Sequence, residues 1–278
     1  MDNIDNSGSE QSGNSQEELQ EETELTHSDK MIGVISEPGT TFENISKHPP
    51  KTIDWLLPLV IMLAFVVVSQ FLMMSNSEIY FQVKQKQIER TQKIMDNMVK
   101  EGRLTQDQAN ERMNQLQDRL DKGRGALGAV LQSVGIIVFG FIVFFIVSGV
   151  YFLFAKFLLK GDGTYTDALI ANGMTSYVFI IQVIITTILA LAMGKLIADT
   201  SVAAFTGTDR ATFMGFILAK LNPFTIWGFA VLSIGLAKMF KSASTAKFYV
   251  LVFGLWIVWG VIVFGLGKAV PFLQFLAG

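Results

Sequence analysis

Twenty consecutive residues, Trp55 to Met74, carry no charge. A helix of that length rises about 30 Å, the thickness of a bilayer's hydrocarbon core. The pattern recurs. Gly125 to Ala155 is a run of 31 uncharged residues that places a second span near Val134 to Phe154, and Met174 to Gly194, Phe224 to Met239 and Phe248 to Gly267 make three more. Only 17% of the chain is charged while 50% is hydrophobic, with 23 Phe; soluble domains carry about 25% charged residues. The expected fold is an all-α membrane protein, a bundle of five transmembrane helices. Ala211 to Leu218 is apolar but short, and Lys220 and Asn222-Pro223 follow it, so residues 211–221 read as interfacial or re-entrant.

The flanks divide the chain further. Residues 1–30 are rich in Asn, Ser, Gln and Glu, with too little apolar surface to offset backbone ordering, and are expected to form a disordered acidic tail. The first 52 residues hold eleven acids against three Lys, which leaves the rest of the chain at +6. Residues 31–52 form an amphipathic pre-membrane segment with Phe42 and Ile45 on one helical face, stopped by His48-Pro49-Pro50. The membrane domain covers 53–278. Within it, residues 75–124 carry ten basic and eight acidic side chains. Gly102 suits a helix C-cap, and Thr105 with Gln108 is a capping-box pattern. Two antiparallel helices follow, a coiled-coil-like extramembrane hairpin with an apolar seam of Ile94, Met98, Met113, Leu116 and Leu120.

Chemistry is sparsely signalled. No Cys is present, which excludes thiolate metal sites and thiol nucleophiles. Two His, His27 and His48, are too few for an imidazole cluster. Gly161-Asp162-Gly163-Thr164 lacks both the acids of a calcium loop and the Gly-Lys-Ser/Thr of a phosphate loop, so it reads as a turn before a helix. Neither a cofactor nor nucleic acid is expected as a ligand. The spans lack charges near their centres, where ion and proton paths are usually marked. Their polar residues, chiefly Gln182, Thr186, Thr187 and Ser233, are expected to hydrogen bond between helices. Gly228/Gly235 and Ser233/Ala237 allow close helix approach.

Pro38-x-x-x-Phe42, His48-Pro49-Pro50 with Asp54-Trp55-x-x-Pro58, Gly161-Asp162-Gly163 followed by Ala168, and Asn222-Pro223-Phe224 through Ala237 together resemble the bacterial branch of the Yip domain family. These are Ypt/Rab-interacting-type membrane proteins. The resemblance covers roughly residues 31–268 and implies five transmembrane helices behind a cytosolic N-terminal segment. The 75–124 hairpin departs from it, since compact members have a short loop there. Positive-inside counting favours an outside N-terminus, with fourteen basic residues against eight. The acidic tail and the resemblance favour an inside one, and the expectation is a bacterial cytoplasmic-membrane protein with a cytoplasmic N-terminus. The functional expectation is a non-enzymatic scaffold or adaptor. It would organise protein partners, or further copies of itself, at the lipid bilayer. The alternative is a channel or transporter for a small neutral or lipidic solute, with Gln182, Thr186 and Thr187 lining its path.

Overall fold

A computed structural model describes residues 23–122 and 126–269, all helix and connecting loop. Helix α1 (His27–Ser36) opens on a capping box in which the Thr26 hydroxyl and the Asp29 carboxylate each satisfy the other's backbone amide. The tail boundary expected at residue 30 is therefore too late: residues 23–30 belong to the ordered body, and residues 1–22 lie outside the described ones. Pro38, which lacks an N–H, cannot continue α1 and instead starts α2 (Pro38–Lys47). The pre-membrane segment is thus a pair of short helices.

Among the described residues four helices are long and apolar enough to cross a membrane, and a bent pair supplies a fifth crossing if counted as one span. Helix α3 (Thr52–Ser75) is the first. Helix α6 (Ala126–Leu153) runs into a π-helical turn at Phe154–Leu158, so the second span is longer than expected at both ends. Helix α7 (Tyr165–Met193) starts at a second capping box, Thr164 with Asp167, well before the expected Met174, and ends at Gly194 with φ +58°. Helix α10 (Pro223–Met239) is preceded by α9 (Phe213–Lys220) at 57°. The segment 211–221 contains α9, the first arm of that bent pair. Helix α11 (Thr245–Ala269) completes the bundle, and α8 (Val202–Thr206) is a single loop turn.

Helices α3 and α7 are the central pair and run parallel, with Trp55 against Gly173 at one end and Ser69 bonded to Thr187 near the other. A Cβ at Gly173 would lie 2.5 Å from Trp55 Cα, so the two backbones touch there. Helix α6 is antiparallel to α3, with Gly140 facing Leu63 and Trp55 stacked on Phe144. Helix α10 is antiparallel to α7. Its Gly228 and Gly235 do permit close approach, but what enters the space is an aromatic ring, Phe179 at Gly228 and Phe42 of α2 at Gly235. The main core gathers Phe42, Met174, Val178, Leu232, Leu236, Phe240 and Phe248 at the end of the bundle nearest α1 and α2.

Because Gly173 meets the start of α3, the first two turns of α7 rise about 12 Å past it. That step is filled by α1, packed on α7, and α2, packed on α10. At the opposite end α4 (Ser77–Lys100) follows α3 after an Asn76 N-cap, and α5 (Gln106–Lys122) folds back on it.

Candidate functional site

Where α1 meets the start of α3, a chain of alternating charges runs from the surface to a buried pair. Asp54, in the first turn of α3, is 2% exposed and Lys30 of α1 is 3% exposed. Lys30 Nζ donates to both Asp54 carboxylate oxygens at 3.1 and 3.0 Å and to Glu24 at 3.0 Å. Lys51 closes the series with a 2.6 Å bond to Glu24. His27 shares a 2.6 Å hydrogen bond through Nε2 with the Tyr177 hydroxyl of α7, and its Nδ1 lies 3.7 Å from Asp54. The N-terminus of α3 favours the Asp54 carboxylate electrostatically. A buried charge is tolerated only when paired and hydrogen bonded, and each of Lys30 and Asp54 meets that condition through the other. The cluster clamps α1 to two spans. A second exposed ion pair, Glu43 with Lys238 at 2.6 Å, ties α2 to the end of α10.

The sequence reading places Asp54 only in the Asp54-Trp55-x-x-Pro58 pattern, His27 only as one of two His, and Lys30 at the end of the acidic tail, with no pairing between them. The only available signal was a Lys one turn before Val34 on the face that becomes buried.

The four expected interhelical polar residues lie inside the bundle without forming one network. Thr187 shares a 2.6 Å hydrogen bond with Ser69 of α3 and donates to Val183 O. Ser233 is fully buried but donates to Phe229 O of its own helix. Thr186 Oγ1 is buried without a hydrogen-bond partner. Gln182 is half-buried and makes no hydrogen bond among the described residues. A further interhelical bond joins Asn172 to Ser148 at 2.9 Å.

The hairpin is built as a lever with a fixed base. Gln82 donates to Gly194 O at 2.8 Å and accepts from Leu196 N at 3.1 Å, which bonds α4 to the capped end of α7. Ile79 is fully buried there beside Ala190 and Ile197. Beyond that base, α5 packs principally on α4. The tip is the expected one: Gly102 has φ +71° and Thr105 and Gln108 exchange both capping bonds. Of the expected seam, Met113 is buried and Ile94, Met98, Leu116 and Leu120 are half-buried. Leu104 and Ala109 are buried with them. The Tyr80 hydroxyl donates to Leu120 O, and Lys84 pairs with Asp121, holding the base of the two helices together.

Among the described residues no three His, Asp or Glu side chains gather as a metal site. Beside these long apolar helices and paired pre-membrane helices stands a family match: the Yip1 domain covers residues 32–267 of the chain. The chain belongs to the Yip1 domain family. Yip1 family members are generally non-enzymatic membrane proteins. No curated protein and no solved structure matches the chain.

Proposed function

We propose that this Yip1-domain protein is a non-enzymatic scaffold or adaptor of the bacterial cytoplasmic membrane, its N-terminus cytoplasmic, which presents the α4–α5 hairpin to protein partners or to other copies of itself. The observation that carries this reading is the hairpin's construction. A 24-residue helix, α4, is about 36 Å long, and its first turns are fastened to the end of α7 while its remainder offers polar, charged surface. Such a lever suits recruitment, because a fixed base sets where a bound partner sits relative to the bilayer.

Replacing residues 84–118 by a short Gly/Ser linker tests it. The expected outcome is a bundle that melts as before, with loss of the proteins that co-purify from the native membrane. An unchanged set of co-purifying proteins would contradict the role of the hairpin.

A second reading, a path for a small neutral or lipidic solute, draws on the unpartnered Thr186 hydroxyl and the unbonded Gln182 amide. Reconstituted vesicles separate the two. Under the scaffold reading Gln182→Leu alters no solute uptake; under the path reading it abolishes uptake while the fold persists.

A further inference from the structure

The bent pair of α9 and α10 breaks just after Lys220, which lies against α11, a helix long and apolar enough to cross a membrane. Lys220 ends α9, and its ammonium lies 4.7 Å from the Trp256 ring centroid and 5.3 Å from that of Phe216. Both are cation–π distances. The chain makes room for it: a Cβ at Gly260 would fall 2.8 Å from Lys220 Cε and closer still to Nζ. Gly260 stands about 22 Å from the start of α11 and about 13 Å from its end, so the niche lies well inside the span.

No carboxylate pairs with Lys220 among the described residues. Arg210, the cation nearest in sequence, has Asp199 at 2.9 Å. Asn222, also at the break, spends its side-chain oxygen on Thr200 and on the Phe224 and Thr225 amides. A lysine near a helix end usually extends its stem to the headgroup layer. This one folds back over two rings instead. The surrounding surface, Phe213, Met214 and Ile217 of α9 with Leu221 just after it, is exposed and apolar, the kind of surface that acyl chains cover in a bilayer. The rings attract the cation but leave it without a counter-ion, and the anion available on a lipid-facing surface is a lipid phosphate.

We propose that Lys220 binds the phosphate of an anionic phospholipid, drawn inward at the break between α9 and α10. The aromatic rings hold the ammonium in place, the Gly260 niche admits it, and the lipid's acyl chains lie along the apolar face of α9. The site is independent of the hairpin and of whatever binds there.

Native mass spectrometry of the intact purified protein, titrated with phosphatidylglycerol, phosphatidylcholine or inorganic phosphate, tests the assignment. Wild type should retain phosphatidylglycerol in preference to phosphatidylcholine. Lys220→Arg should keep that preference, while Lys220→Met and Lys220→Gln weaken retention about tenfold, or about 1.4 kcal/mol. Equal retention of the two lipids by wild type, which needs no variant to fold, would overturn the proposal. So would undiminished retention by both neutral variants. Displacement of the lipid by millimolar inorganic phosphate would also overturn it, by marking a free-anion site.

Discussion

Lys30 and Asp54 illustrate how a residue's meaning depends on where the chain takes it. Each is unremarkable in sequence, and they are 24 positions apart; only the docking of α1 into the step beside α7 makes them a buried pair. Periodicity can propose that a short segment is helical, but the partner of a single charge is a tertiary fact. Removing one member strands the other. Asp54→Asn should therefore destabilise the protein by about 3–5 kcal/mol, whereas Lys30→Met with Asp54→Leu should restore most of the loss. Unfolding in detergent checks both, and a double variant no more stable than Asp54→Asn would contradict the buried-pair account. Glu24 adds a pH signature. Hydrogen bonds from Lys51 and Lys30 hold its carboxyl down to about 2, from 4.5 ordinarily. The folded state then binds this proton more weakly than the unfolded one. The stabilisation is complete above 4.5 and is lost as pH falls toward 2. The difference in stability between wild type and Glu24→Gln should accordingly be constant above 4.5 and close below it; a difference independent of pH would show that Glu24 does not hold α1.

At the scale of elements, the sequence carried much of the design because apolar runs and capping pairs are local signals. The spans at α3 and α11 and the tip at Gly102, Thr105 and Gln108 follow from them directly. The early start of α7 was harder to read, since Asp167 and Asn172 interrupt the apolar run and the burial of Ala168 to Ala171 comes from tertiary packing. The break at Pro38 was equally hidden, because a Pro reads as a helix start or a stop until the preceding helix is seen. In the hairpin, Leu104 was overlooked because it sits in the turn, yet it folds under the seam. That seam is thin. Met113→Ala should cost about 2 kcal/mol, within the range for buried Met truncation, and the loss should be confined to the lever. Hydrogen exchange should speed along α4 and α5 beyond Gln82 while α3 and α7 amides stay protected; equal acceleration in α7 would mean that hairpin and bundle are one cooperative unit.

The whole molecule is a bundle with α1 and α2 packed at one end and the lever at the other, and the proposed topology puts these ends on opposite faces of the membrane. The chain contains no Cys, and any introduced thiol is a unique reporter. With the N-terminus inside, an impermeant thiol reagent on intact cells should label Gln106→Cys and spare Ser12→Cys; the reverse pattern would invert the orientation. The central claim, that the lever is a recruitment surface, is tested most directly by a photo-crosslinking residue placed at exposed Gln92 or Arg112 in living cells. The account predicts discrete protein adducts from these positions, lost when Met113→Asp opens the hairpin while the bundle still folds. Absence of adducts from both positions, or adducts that survive the opened hairpin, would contradict it.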